Sequence, residues 1–182
     1  RIALCYFFAS VIALRKNIYL IVGAAVLLPA LYWCMMLLIP VPGFGTGDIS
    51  PDGNLCRFID STLLGSHTYA HAPARGFDPE GILSTIPAVA TALVGFIAGM
   101  VILKPENYRG KAVVTAFLSG ILMTVAGLAL HPWIPLNKNL WSPSYILFSG
   151  GMALMIFTLC HTIVERGNGA RFTRPFISLG MN

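Results

Sequence analysis

Charge is what this sequence has least of. Asp, Glu, Lys and Arg make up 10% of its 182 residues, against about 25% in an ordinary soluble domain. A water-soluble globular chain is therefore excluded. Cysteine is scarce too, with 4 in the chain. Cys5, Cys34 and Cys160 lie inside apolar runs and Cys56 stands alone outside them, so no disulfide framework is available, and the cysteines read as small buried apolar residues. His67 and His71 are the only Cys or His pair with ligand spacing, so no metal site is expected. The 12 Lys+Arg outnumber the 7 Asp+Glu, but they fall in short clusters between apolar runs rather than along one polar face. That distribution excludes a nucleic-acid partner.

What the chain does have is apolar length. Hydrophobic residues make up 56% and the mean hydropathy is +0.75. A helix that crosses a bilayer needs roughly 17 to 25 predominantly apolar residues. Ile18 to Ile39, Ile82 to Leu103, Ala112 to Leu130 and Ser144 to Val164 meet this without a single Asp, Glu, Lys or Arg. Ile2 to Leu14 is apolar over only 13 residues and reads as a truncated span, while Phe176 to Asn182 reads as the start of another. The chain opens on Arg1 before an apolar run, with no initiator Met and no signal-peptide architecture. The expectation is an all-α, polytopic transmembrane bundle in the lipid bilayer, a single domain over 1–182 and a piece of a longer polypeptide.

Orientation follows from the Lys and Arg of the connections. With alternating spans, one side holds Arg15, Lys16, Lys104, Arg109, Lys111, Arg166, Arg171 and Arg174 against Glu106 and Glu165 alone. The other holds Arg1, Arg57, Arg75 and Lys138 against Asp48, Asp52, Asp60, Asp78 and Glu80. The first side is expected to be cytoplasmic, so the connections 40–81 and 131–143 both lie outside the cytoplasm. Trp133, Trp141 and Trp33 would form an aromatic belt at that interface. Within the spans, Pro29 is expected to kink its helix, and Pro87 to tilt the outer end of its own. Gly95 and Gly99 form a GxxxG, a seam for close packing either within the chain or in a homodimer.

The outer connections carry the chemistry. LCRFIDSTLLG places Leu55, Phe58, Ile59 and Leu63 at helical spacing behind Asn54, which predicts a short N-capped amphipathic helix at the membrane surface. SHTYAHAPARGFDPEGILS then crowds His67, Tyr69, His71, Asp78 and Glu80 just above a span, as an extracytoplasmic active site requires and as a solvated loop also permits. Asp78 before Pro79 reads equally as a helix N-cap followed by a first-turn proline. Glu80 at the membrane boundary is the candidate general base, since partial burial would raise its carboxyl pKa. In the other connection Ser142 and Pro143 repeat the capping pattern. Asn137 and Lys138 form a polar knot there, with Lys138 either solvated or held to bind an anion or a sugar.

LLIPVPGFGTG, FIDSTLLGSHTY, FDPEGILSTIPAV, IPLNKNLWSPSY and the closing GMN run in one order along nearly the whole chain. Together they resemble the heparan-alpha-glucosaminide N-acetyltransferase family, the lysosomal enzyme and its bacterial relatives. The resemblance implies a multi-span acyltransferase in a lysosomal-type or bacterial inner membrane, with acetyl-CoA from the cytoplasm as donor and the amine of a glucosamine-type sugar or glycan as acceptor. It implies catalytic roles for Glu80 and Asp78, and substrate contacts from Asn137, Lys138, His67, Tyr69, Asp60 and Trp141. The family's catalytic histidine belongs to an outer loop upstream of Arg1 and is absent here; His67 and His71 do not replace it. The residue after Asp60 is commonly Arg in the family and is Ser61 here, a departure that bears on acceptor preference. From the residues alone, a transporter or permease for a small polar or sugar solute is the competing function, and inverted repeats would mark it.

Overall fold

Apolar sequence with no free backbone partners in lipid has one economical solution, the helix, and in the computed structural model, which describes residues 1–102 and 106–165, the regular elements among the described residues are helices. In chain order these are α1 (Ile2–Ala13), α2 (Ile18–Leu38), α3 (Leu55–Leu64) followed by the short 3-10 turn Gly65–His67, α4 (Ile82–Ile102), α5 (Glu106–Leu130) and α6 (Pro143–Glu165). Four are long and apolar enough to cross a membrane: Ile18–Leu38, Ile82–Ile102, Gly110–Leu130 and Pro143–Val164. They coincide with the four expected spans to within about two residues at each end. α1 is the shorter apolar helix, and the expected start of a span at Phe176 lies outside the described residues. Leu27, Leu38, Leu122 and Leu128, among many large apolar side chains on the outer faces, are exposed. A water-soluble protein does not present apolar area on that scale; lipid is the solvent of these faces, and this is an integral membrane protein.

Three packed clusters join the helices. At one end Tyr32, Trp33 and Met36 of α2 meet Leu55 and Cys56 of α3, Phe77 of the following loop, Leu83 of α4 and Leu140 of the α5–α6 loop. In the middle Cys5 and Ala9 of α1 pack with Ile21 of α2 and Ala88, Val89 and Leu93 of α4. Towards the other end Ile102, Ala116 and Leu154 join α4, α5 and α6. Pro29 and Pro87 both lie inside continuous helices and are buried.

Several local expectations are corrected. Trp33 is buried in the first cluster and Trp141 folds inward to donate its indole Nε1–H to Thr91 Oγ1 at 3.0 Å, so of the three only Trp133, 77% exposed, stands outside as a belt residue would. Cys34 and Cys160 are exposed on the outer helix faces rather than buried; a thiol is apolar enough to face lipid. α3 starts at its predicted cap, with Asn54 Oδ1 accepting from Arg57 N at 2.8 Å. Its buried face, however, is Leu55, Cys56 and Asp60, while Phe58 and Leu63 are exposed. Pattern alone had favoured the more hydrophobic stripe, but docking on the bundle selects the other.

Small residues do pack helices here, at a different place from the GxxxG. A β-carbon at Gly127 would lie 2.6 Å from Phe148 N, and one at Gly120 would lie 2.9 Å from Gly151 O, so α5 and α6 touch backbone to backbone. At Gly95 and Gly99 a β-carbon would meet nothing within 4 Å. In detergent-solubilised protein, Gly127→Val is expected to lower stability by about 1–3 kcal/mol or more through overpacking. Gly99→Ala is expected to be neutral or stabilising by up to about 1 kcal/mol, through helix propensity. Thermal unfolding of the two variants checks the contrast.

Candidate active site

The end of the bundle that carries the first cluster is also where the polar loops fold. Tyr32 donates its hydroxyl proton to Leu140 O and lies 3.2 Å from Cys56 Sγ, which ties α2, α3 and the α5–α6 loop together. Burial pushes the Cys56 thiol up to about 12, so it stays protonated, as a structural rather than reactive cysteine.

Beneath the loops lies Asp60, with no accessible surface. Its Oδ1 accepts from Ile82 N at 3.0 Å, so the first amide of α4 is capped by a residue of α3. This corrects the expectation that Asp78 caps the helix. The carboxylate sits against Gly81 so closely that a β-carbon there would overlap it; only glycine leaves room. Asp60 Oδ2 has no hydrogen-bond partner. Burial pushes the carboxyl above the ordinary carboxylate range, against the pull of the Ile82 and Asp78 backbone N–H groups. Asp60 therefore holds the site from below and is not placed to touch a substrate.

Asp78 has a related task one layer up. Its Oδ1 accepts from Glu80 N at 2.8 Å and its Oδ2 from Tyr69 N at 3.2 Å, while its carbonyl accepts from Gly81 N at 3.0 Å. Both carboxylate oxygens are thus engaged by backbone, pinning Tyr69 and Glu80 to one turn. Glu80 is exposed, so the partial burial expected of it at the membrane boundary is not found. In the other loop Asn137 Oδ1 accepts from Asn139 N at 2.9 Å and Leu140 N at 3.1 Å. Ser142 begins α6 as predicted, its Oγ accepting from Tyr145 N at 3.3 Å. Asn137 is thus a turn-former, and the side chains it sets in place are Lys138 and Asn139.

These two loops enclose a cavity of about 820 Å³, within the usual range for small-molecule sites. Of the residues singled out from the sequence, His67, Tyr69, Asp78, Glu80, Lys138 and Trp141 line it. Asp60 and Asn137 do not; Asn139 lines it in place of Asn137. Sequence reasoning passed over Arg1, which also lines the cavity. Its guanidinium lies 4.2 Å from the Trp141 ring centroid and donates to Pro79 O and, at 2.9 Å, to Ser84 O. The only signal for it was a lone arginine at the outer end of an apolar run. Trp141 itself has a φ of 54°, a left-handed backbone uncommon for a bulky residue; the strain turns its indole in under Arg1 and onto α4. Ser61, where the resembled family commonly has Arg, lines not this cavity but an adjoining one.

Fold and site together define a polytopic helical membrane protein with a polar, titratable cavity at one end of its bundle. Its relatives are equally specific. The chain is 30% identical over 183 residues to heparan-alpha-glucosaminide N-acetyltransferase of Mus musculus and 31% identical over 182 residues to that of Homo sapiens; each alignment covers 85% of this chain. The family resemblance carried by the loop motifs is thereby shown, at the level of a relationship. The chain spans 27% of the length of these curated relatives. No family model matches it.

The raised carboxyl at Asp60 sets a pH dependence. Between the ordinary carboxylate pKa of about 3.9 and the higher folded value, the folded chain keeps a proton that the unfolded chain has lost. Stability from this group is full below that window and falls as pH rises through it. Asp60→Asn, which keeps an acceptor for Ile82 N and carries no charge, is expected to flatten this decline. Melting curves across the acid-to-neutral range check it; a variant curve parallel to the unsubstituted one would refute it.

Proposed function

We propose that the protein containing this chain transfers an acetyl group from acetyl-CoA to the amine of a glucosamine-type sugar, and that the cavity receives that amine. The observation that carries the reading is the convergence of Glu80, Asp78, His67 and Tyr69 from one loop with Lys138 and Trp141 from the other. The names of the relatives, N-acetyltransferases of a heparan glucosaminide, support the chemistry. An ammonium group has no lone pair, so it must lose a proton before it attacks the thioester carbonyl. The new C–N bond then forms, the C–S bond breaks, and the thiolate leaves and takes up a proton.

Within this scheme each residue has a physical task. Glu80 attracts the ammonium, orients it and accepts its proton. Asp78 positions Glu80 through the turn that its carboxylate closes. Lys138 repels the amine from its own side of the cavity and holds hydroxyl or anionic groups, while Trp141 offers a flat apolar wall. The resemblance places a further catalytic histidine outside this chain. The basic residues at the cytoplasmic ends of the spans, among them Lys16 and Lys111, suit a polyanionic donor arriving from the cytoplasm, and the cavity then faces the opposite side.

Two experiments test this in the complete protein. Glu80→Gln is expected to reduce acetyl transfer to glucosamine by at least about a hundredfold, the usual cost of losing an acid–base group, while thermal stability stays nearly unchanged because Glu80 is exposed. Near-normal turnover would return the DPEG turn to a purely structural role. Sidedness is tested by Ser66→Cys in a background without native cysteines. A membrane-impermeant thiol reagent is expected to label it from the extracytoplasmic side; labelling from the cytoplasmic side alone would invert the orientation.

A further inference from the structure

Asp60 and Arg1 meet the same short stretch of chain from two sides. Asp60 Oδ1 accepts from Ile82 N at 3.0 Å, and its carboxylate lies so close to Gly81 that a β-carbon there would overlap it. Arg1 grips the residues on either side of these, its Nη1 donating to Pro79 O and its Nη2 to Ser84 O at 2.9 Å. The DPEG turn and the first turn of α4 are thus held at Pro79, Gly81, Ile82 and Ser84 by one cation and one carboxyl group. Each of the two keeps an unused polar atom. Arg1 Nε and Asp60 Oδ2 are buried and find no hydrogen-bond partner among the described residues; one is a donor on a cation and the other an acceptor on an acid.

The acceptors that Arg1 does use are carbonyl oxygens without formal charge, and its guanidinium otherwise lies 4.2 Å from the Trp141 ring centroid. The other titratable groups around Asp60 are Tyr32 of α2, Cys56 of α3 and Asp78 of the loop. Tyr32 donates its hydroxyl proton to Leu140 O, and burial pushes the Cys56 thiol up to about 12. The Asp78 carboxylate accepts from Tyr69 N and Glu80 N. Two of these groups carry no charge and the third is an anion, so Arg1 is the one of the four whose charge favours an ionised Asp60. Burial raises the Asp60 carboxyl, and Arg1 pulls against it. Between buried groups such an attraction is damped far less by water and salt than at a surface.

We propose that Arg1 and Asp60 act as a charge pair that clamps the start of α4, and that Arg1 is thereby a positioning residue for the transfer. The catalytic consequence rests on the acetyltransferase reading; the pair itself does not. Arg1 acts without touching the reacting atoms. Through Pro79 it fixes the turn that carries Glu80, and through its flat face it fixes the indole of Trp141. One side chain therefore sets two walls of the cavity that come from different loops. Trp141 is in turn tied to Thr91 of α4, so the clamp closes on the helix whose start it holds.

The test uses the complete protein. The protonated carboxyl band of Asp60 in infrared spectra, assigned by its loss in Asp60→Asn, gives the pH at which this group ionises in the folded state. Arg1→Gln removes the charge, and so does Arg1→Met, which keeps an apolar stem; each is expected to raise that midpoint by about one pH unit or more. Arg1→Lys keeps the charge and is expected to move it less. Acetyl transfer to glucosamine, measured above the midpoint, supplies the second readout. Arg1→Gln and Asp60→Asn are each expected to lower kcat by about ten- to a hundredfold with little change in KM, as a misplaced group costs. The double variant is expected to fall hardly below the weaker single one, because a shared linkage is lost only once. A midpoint that stays put in both Arg1→Gln and Arg1→Met would overturn the pair. A shifted midpoint with unchanged kcat, or with losses that multiply in the double variant, would overturn the positioning role. If the unsubstituted protein transferred no acetyl group, the acetyltransferase reading would fall and the positioning role with it, while the infrared midpoints would still judge the pair.

Discussion

The buried carboxylate of Asp60 is the constraint on which the polar end of the molecule depends. It reaches from α3 to cap the first amide of α4, and it lies where any side chain at position 81 would have to be. A helix start needs acceptors for its unpaired N–H groups, and here that need is met across the fold rather than from the adjacent residues. The DPEG turn is thereby fixed between two anchors, Asp60 below and the bundle beside it. A partly satisfied acid in a dry site is costly, and the protein tolerates this one at the single point where it orders α3, α4 and the loop between them.

From that anchor the site is a matter of short links. Asp78 gathers Tyr69 and Glu80, Asn137 closes the turn that presents Lys138, and Ser142 starts α6 beneath them. Tyr32 and Trp141 make the cross-connections: Tyr32 locks α2 to the α5–α6 loop, and Trp141 spans from that loop to Thr91. Thr91 lies nine residues into α4, roughly 13 Å along its axis. The cavity therefore has a wall, Trp141, anchored within the bundle and two exposed polar side chains, Lys138 and Glu80, in its lining.

Lipid shapes the remainder. Outward faces rich in exposed leucine and valine need no partner from this chain, and helix association rests on close backbone approach, as at Gly120, Gly127 and Gly151. The contrast with Gly95 and Gly99 is instructive, because the sequence motif that most resembles a packing seam is the one left open among the described residues. Spacing of small residues shows where two backbones can meet; which helix arrives is a property of the whole bundle.

The sequence by itself determined the class, the spans, the short capped helix at Asn54 and the start of α6 at Ser142, because these follow from local quantities: apolar length against bilayer thickness, and a side-chain oxygen one to three residues from the amides it caps. It also brought forward most of the residues that line the cavity, since titratable groups are so rare in this chain that their clustering stands out. Tertiary structure decided the roles. Asp60 and Asp78 look alike in sequence, yet one is a buried cap for a helix 22 residues away in the chain and the other a clasp within its own loop. Asn137 yielded its place in the cavity to Asn139, and Arg1 entered it through a stack on Trp141. Long-range pairing of this kind depends on which surfaces meet when the helices pack, and no periodicity along one strand of sequence encodes that meeting.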